Sequence, residues 1–480
     1  MENYITQLID LGDPSAQVTD FHIEDLKKIV CIEKKVIGML CPACGHLMNS
    51  KGKRIRELKH PILQDGYSLI LNVTVRKWRC PECNHYDHDH FNFFSDFKQS
   101  TTLLPLMILE TMKDLELSTK QVAKRYGVSD TYVREIFMTN VSLPRLPLSD
   151  VISIDEVYMK YDRNDLYSLV IMDFHTNQII DMLPNRLKDT VEEYFLHIPL
   201  EERKKVKVLI IDMYKPYLSF THKYFPSADI IVDSFHVISL ILTKIHRYVC
   251  NVKRKYQDRD ERILQEKNEH SNSSYKTMKK SHEVKILEKY DYFLLKNHDD
   301  ISYTPYYKSI KGRGGFWFDP ESMEKSFMEL DSNFEKIRDL KEIYIQFNKS
   351  HISDVEGALH SLERIIKVYE DSSIGLFREV ATTLKEYKIP IANSFKYVQD
   401  TVHHSEKENI LRRLSNGPLE GFNVYPKNYK RQSRGVSNHE YTRNRILWAT
   451  RNNPSILAKP LSRESVHNYT NKKRGSYKKK

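Results

Sequence analysis

A chain of 480 residues with 40% hydrophobic side chains has room for about two to four domains with buried cores, which excludes a disordered chain. Its 75 Lys and Arg outnumber its 64 Asp and Glu, giving a formal net charge of +11 that favours a polyanionic partner such as nucleic acid. No apolar run reaches the roughly 18 residues of a membrane span, and the start MENYITQLIDLGDPS lacks the basic-then-apolar order of a secretion signal, so a cytoplasmic protein with no membrane partner is expected.

After an N-terminal segment, 1–37, the first motif with chemistry lies in 38–98. CPACGH supplies Cys41 and Cys44, and CPECNH supplies Cys80 and Cys83; each two-residue gap lets a tight knuckle aim two thiolates at one tetrahedral ion. Four thiolates make a closed structural site, so a zinc ribbon is expected, with YSLILNVTVRKW as a strand presenting Tyr67, Leu69, Leu71, Val73 and Val75 on one face. His85, His88 and His90 in HYDHDH are rival ligands, read here as solvent-facing. A redox role is the lesser reading because no thioredoxin-like strand–helix pattern accompanies either pair. The remaining Cys31 and Cys250 are expected to be buried apolar side chains.

Residues 99–142 carry STKQVAKRYGVSDTYVREIF. Ser118 or Thr119 can cap a helix burying Val122 and Ala123, Gly127 makes a turn, and Ser129 can cap a second helix burying Val133 and Ile136. This is a helix-turn-helix pattern, and Thr131, Tyr132 and Arg134 are left outward to touch phosphates and base edges. Helical pairs of this size also occur as plain packing units.

Beyond the linker NVSLPRLPLSD the pattern becomes strand-like over 148–240. VISIDEVYM, LYSLVIMDF and QIIDML read as an antiparallel meander, followed by a helix near 187–204, the strand KVKVLIIDM, a helix near 216–224 and the strand ADIIVDSFH. Asp155 interrupts the first strand and Asp212 ends the fourth, where open α/β sheets present their sites. A carboxylate in a buried strand is costly unless paired or bound to a cation, so two that converge could share divalent metal ions. Each seen singly is equally a strand-end or turn-capping residue.

Residues 241–405 are helix-forming and heavily charged, broken most clearly at KGRGGFWF, where Trp317 is read as a packing anchor rather than as a ring that stacks on a base or supports a hairpin at a cleavage site. In 406–455, SNGPLEGFNVYPKNYKR places Glu420 behind a Gly-Pro turn and ahead of Lys427, Lys430, Arg431 and Arg434. A glutamate in a first helical turn is favoured by the helix dipole alone, and the cations are equally a solvated helix face. The tail 456–480 ends in NKKRGSYKKK, a basic arm suited to phosphate contacts.

Taken together, the two C-x-x-C pairs, the helix-turn-helix, SIDEVYMK, LIIDMYKPY, FPSADIIVDSFHV and SNGPLEGFN resemble the ISL3 family of bacterial insertion-sequence transposases over about residues 38–455. The resemblance implies a multidomain protein: zinc ribbon, helix-turn-helix, then an α/β ribonuclease-H-like core with a mixed five-stranded sheet, interrupted by a large α-helical insertion. It implies a DDE transposase whose catalytic acids fall on Asp155, Asp212 and Glu420, holding Mg2+ or Mn2+ beside a structural Zn2+. Asp155 is taken over its neighbour Glu156 by this match, since adjacent strand residues face opposite ways. Asp233 and His236 match a further family motif and stand as secondary site candidates. The cations after Glu420 would hold double-stranded DNA, at element ends and target, with a homodimer or higher oligomer joining two ends. Pro426, six positions beyond Glu420, departs from the family pattern; it should kink or end the helix, leaving open an inactive DNA-binding regulator. A hydrolytic nuclease would use the same three acids.

Overall fold

The computed structural model describes residues 9, 11–35, 38–61, 67–161, 164–269, 280–310, 314–350, 354–399 and 411–468. The basic arm 471–480 and the first three residues of KGRGGFWF lie outside them. The chain divides into two compact units, one made of 1–145, 157–167 and 423–480, the other of 146–156 and 168–422.

The first unit is sheet-rich at its N-terminal end. Strands β1 (Ala16–Glu24), β2 (Lys27–Lys34), β3 (Asn49–Lys59), β4 (Ser68–Arg79) and β5 (Tyr86–His88) form one sheet in the order β1-β2-β4-β3, with β5 also on β4. The motif-free N-terminal segment therefore supplies two strands, β2 running parallel to β4. Alternation along β4 sends Leu69, Leu71, Val73 and Val75 into a core with Val30, Ile32, Leu58, Phe91, Phe93 and Phe94. Cys31 and Cys250 are half-buried rather than buried. Cys31 alternates with the inward Val30 and Ile32, and Cys250 lies one position past Val249 on the apolar stripe of its helix.

Helices Thr119–Arg125 and Asp130–Asn140 follow. Ser118 caps the first in a capping box with Gln121, Gly127 turns the chain at φ +61°, and the Ser129 side chain accepts from the Tyr132 N–H. The second helix buries Val133 and Phe137, with Ile136 only half-covered. Helix His439–Thr450 packs on this pair. Tyr441 hydrogen-bonds Thr119 at 2.8 Å, Trp448 Nε1 donates to the Leu109 carbonyl, and the fully buried Arg445 donates to the carbonyls of Asp114 and Leu117.

The second unit centres on β6 (Val151–Tyr158), β7 (Tyr167–Asp173), β8 (Ile179–Leu183), β9 (Val208–Ile211) and β10 (Asp229–Val232), ordered β10-β9-β6-β7-β8. β6, β9 and β10 are mutually parallel neighbours, and β7 pairs β8 antiparallel. One face, with Ile152, Ile154, Leu209, Ile211 and Val232, shares a continuous core with helices between 234 and 393, including Ile245, Phe334, Leu362 and Phe377. The helix Ser234–Glu269 alone has 36 residues and is about 54 Å long at 1.5 Å per residue. In the hairpin β11 (Tyr306–Ile310) and β12 (Gly314–Phe318), the anchor is Phe318, 2% exposed and stacked on Tyr290, not Trp317. Strand alternation turns Trp317 to the other side, 73% exposed and edge-on to Tyr307.

Candidate active site

The carboxylates meet because the parallel strands β9 and β10 end in step beside the middle of β6. β9 pairs Ile211 with Val232 of β10, and Ile210 with Ser153 of β6. Carrying these registers past the last pairs sets Asp212 beside both Asp233 and Asp155. Alternation then puts all three acids on the face shared by Val151, Val208, Ile210 and Ile231, away from the helix-covered core. This is the carboxyl end of the parallel strands.

Asp155, 8% exposed, hydrogen-bonds the Asp212 side chain, and burial together with the Asp212 charge pushes it up to about 7. His236 Nε2 lies 2.6 Å from Asp212 Oδ1 and 3.6 Å from Glu420 Oε1, bridging the second acid to the third. Burial works against a charge on His236, but contact with Asp212 and the nearby Asp233 and Asp155 raise it to about 9, so it is a cation at neutral pH. Glu420 sits in the first turn of the helix Gly417–Phe422.

The neighbours sort by the same contacts. Asp233 accepts the Phe235 N–H on Oδ1 at 2.9 Å and the Asn416 N–H on Oδ2 at 2.7 Å, which makes it a cap for the helix Ser234–Glu269 and an anchor for Asn416. Glu156 points the other way and is held by Arg186 and the buried Tyr217 hydroxyl. Asn416, fully buried against Asp212, is a site residue that sequence reading missed; its signal was the asparagine in the SNGP turn itself. The donor set is all oxygen: the buried Asp155 and half-buried Asp212 carboxylates in contact, a third reached through His236, and the Asn416 amide oxygen, buried with no hydrogen-bond partner. That set suits a hard divalent cation, which would offset the repulsion between Asp155 and Asp212.

Pro426 breaks the basic helix at a harmless point. Helix Gly417–Phe422 ends, Asn423 intervenes, and Val424–Gln432 begins, so that Pro426 falls in a first turn whose N–H groups have no helical partner in any case.

The four cysteines cluster as their spacing requires. Cys41 Sγ is 3.5 Å from Cys83, and Cys44 is 3.4 Å from both Cys80 and Cys83; a tetrahedral zinc with bonds of about 2.3 Å would separate its sulfurs by about 3.8 Å. Each knuckle ends in a left-handed residue, Gly45 at φ +76° and Asn84 at φ +58°. The N–H groups of Cys83 and Glu82 facing Cys80 hold its thiol down to about 6. Against the N–H groups of His46 and His85, the neighbouring sulfurs push Cys44 up to about 12 and raise Cys83, so the cluster holds its protons unevenly, as crowded thiols do. His88 contacts Asp96 at 2.9 Å and His90 contacts Asp87 at 2.8 Å, and His85 is exposed.

The candidate DNA contacts fall in two groups. Thr131 is exposed, whereas the Tyr132 hydroxyl hydrogen-bonds Ser100 and Arg134 stacks over the Tyr441 ring at 5.3 Å. Lys427, Arg431 and Arg434 are exposed, whereas Lys430 donates to the Tyr158 carbonyl at 3.0 Å and covers its ring. Lys120, Lys124, Arg134, Arg431 and Arg434 line one cleft of about 1160 Å³ between the capped helix pair and the segment 429–442, with Asp130 as its acid.

The family model for ISL3 transposases, described as Transposase, matches residues 152–446, or 295 of 480. The transposase for insertion sequence element IS1001 of Bordetella parapertussis is 22% identical over 209 residues, covering 42% of this chain. The chain spans about half the length of this curated relative, 50% of it. The match begins in the strand that carries Asp155, includes Asp212 and Glu420, and ends in the helix packed on the capped pair, and on this extent the chain belongs to the ISL3 family of transposases.

Proposed function

We propose that this protein is the transposase of a bacterial insertion sequence, binding double-stranded DNA at the element's terminal inverted repeats and cutting and joining strands through Asp155, Asp212 and Glu420. The observation that carries this reading is the convergence of those acids, from the middle of β6, the end of β9 and a helix first turn, around His236. The strand order β10-β9-β6-β7-β8 supports a ribonuclease-H-like core over 148–240, with 241–405 as its helical insertion and 406–455 as the return that brings the third acid. Mg2+ or Mn2+ held by the three acids would supply the means to activate an attacking water or 3′-hydroxyl and to stabilise the leaving oxygen. The chain itself holds Asp155 in low dielectric and keeps a proton on His236 between Asp212 and Glu420, which lessens but does not cancel the repulsion between the carboxylates.

DNA recognition is assigned to the zinc ribbon, 38–98, with Zn2+ on Cys41, Cys44, Cys80 and Cys83, and to the helix-turn-helix, 99–142. Phosphates would lie along Arg134, Arg431 and Arg434 in the basic cleft, with Thr131 and Lys427 exposed nearby and Tyr132 and Lys430 acting more as supports. The tail 456–480 adds charge, the N-terminal segment 1–37 adds sheet, and synapsis of two ends calls for a dimer or higher oligomer. No helix among the described residues is long and apolar enough to cross a membrane, in keeping with work on cytoplasmic DNA. The helix breaks at Asn423, three residues before Pro426, and Pro426 lies in a first turn where its missing N–H leaves no helical bond unmade, so Glu420 and the cations Lys427, Lys430 and Arg431 sit on two successive helices.

The test is cleavage of a supercoiled plasmid carrying the gene with its flanking DNA, by purified protein with magnesium or manganese, beside Asp212→Asn. Cuts at the element ends that the variant loses while still binding DNA are the expected result. Binding without cuts by the natural protein would make it a regulator, and cleavage by Asp212→Asn would sink the acid assignment.

A further inference from the structure

Asn416 is 0% exposed and touches every element that brings an acid to the site. Its backbone N–H donates to Asp233 Oδ2 at 2.7 Å, and its carbonyl accepts the Glu420 N–H at 2.8 Å. Its side-chain Nδ2 donates to Asp212 Oδ1 at 3.0 Å and to the carbonyl of Ile154, the residue before Asp155, at 3.3 Å. One residue thus joins the ends of β6, β9 and β10 to the helix that carries Glu420. Because both Nδ2 partners are acceptors, the amide has one sensible orientation; reversed, it would press oxygen against oxygen. That orientation leaves Oδ1 buried with no hydrogen-bond partner, a costly state that a polar occupant of the site would relieve.

We propose that Asn416 is a positioning residue for the three-acid site, fixing the Asp212 carboxylate and the Glu420 helix relative to Asp155, and lending its amide oxygen as a further acceptor toward the cations. The proposal rests on the transposase reading above. Residue chemistry explains the choice of asparagine. An amide can donate to a carboxylate without adding a fourth negative charge, and it still has an oxygen to offer, which neither serine at this reach nor leucine could do. Asp233 completes the device by gripping the Asn416 backbone while capping the long helix.

The experiment compares the full-length protein with Asn416→Ala, with the volume-conserving Asn416→Asp, and with Asn185→Ala as a control for losing a buried asparagine, one that accepts the Leu187 N–H far along the sequence. Three readouts are needed: Mn2+ affinity by titration calorimetry, hydrogen exchange of the peptide 414–422 in protein without added Mg2+ or Mn2+, and plasmid cleavage. For Asn416→Ala, Mn2+ should bind about tenfold more weakly, the 414–422 amides should exchange faster, and cleavage should fall about 100-fold. Asn416→Asp should lose cleavage to the same degree even if the alanine variant folds poorly, since it keeps the shape but removes both Nδ2 donors. Asn185→Ala should lower the melting temperature and move none of the three readouts. A folded Asn416 variant with natural Mn2+ affinity, exchange and cleavage would overturn the positioning role while leaving the transposase reading standing. Weaker Mn2+ binding, faster exchange and lost cleavage confined to the Asn416 variants would support the role, whereas a natural protein that takes up no Mn2+ at all would sink the reading first, with exchange at 414–422 still deciding whether Asn416 anchors the helix.

Discussion

The four cysteines come from two knuckles, each closed over a few residues by a backbone hydrogen bond, Cys41 N–H to the His46 carbonyl and Cys80 N–H to the His85 carbonyl. The carboxylates come from two strands more than fifty residues apart, mid-β6 and the end of β9, and a helix some two hundred residues further on, and what gathers them is sheet register, His236 and Asn416. The difference lies in what bears the repulsion among like groups. The four thiols converge as a ligand set suited to an ion, whereas the acids have a cation beside them in His236 and a neutral donor in Asn416. The first site should collapse without its metal, and the second should persist as architecture.

The largest effect follows for the cysteines. Cys80→Ser should abolish zinc uptake, measured by atomic absorption, and with it the cooperative melting of the N-terminal sheet, since structural zinc is worth about 10 kcal/mol or more of apparent folding energy. Retention of one zinc per chain by the variant would break the contrast.

A smaller effect, of opposite character, belongs to the acids. The folded value of Asp155, about 7, lies above its ordinary 3.8, so the folded state keeps a proton that the unfolded chain has released, and stability falls as pH rises from about 4 to about 7. His236, at about 9 against 6.5, contributes stability that is complete below about pH 6.5 and lost as pH rises through about 9. Both slopes have the same sign. Calorimetric melting without added magnesium or manganese, and without a chelator that would strip zinc, should therefore show stability declining from about pH 5 to about pH 9 by on the order of a few kcal/mol. Asp155→Asn should flatten the lower limb and saturating Mn2+ should flatten both; an unchanged profile in Asp155→Asn would remove the internal proton store.

Next comes Arg186, which neutralises Glu156 on the face opposite Asp155. Arg186→Met should cost about 2 kcal/mol, discounted from a fully buried pair because both side chains keep some exposure, while Mn2+ affinity at the acids stays put. A matched loss of Mn2+ affinity would show that the two faces of β6 are not independent.

What could be read beforehand follows the same divide. The C-x-x-C spacing, the caps at Ser118 and Ser129 and the strands bearing Asp155 and Asp212 are local patterns, and the chain adopts them where the residues indicated. The buried Arg445 and the strands at 16–34 gain their roles from partners far along the chain, so no window of sequence displays them, and the SNGP turn marks Asn416 without showing the distant Asp212 and Asp233 that give it a role. Trp317 was misread for a smaller reason: one step of strand register decides whether it or Phe318 faces the core, and sequence gives no register for an isolated hairpin.

The smallest effect tests whether the basic cleft sacrifices stability for binding. The helix Val424–Gln432 closes with the Gly435 N–H donating to the Lys430 carbonyl and the Arg434 N–H to the Arg431 carbonyl, a Schellman cap whose left-handed position is Arg434 at φ +53°. Glycine is the usual occupant of that position, and a side chain there costs roughly 1 kcal/mol. Since Arg434 lines the cleft with Arg431 and Arg134, the strain is explained if its guanidinium is required by a phosphate. Arg434→Gly should then raise the melting temperature slightly, weaken end binding evenly across sequences and reduce the salt dependence of binding by about one phosphate contact. A more stable protein that binds DNA unchanged would take Arg434 out of the DNA track. A less stable one would mean that its aliphatic stem packs the cleft wall, and that the left-handed turn is kept for the fold rather than for the ligand.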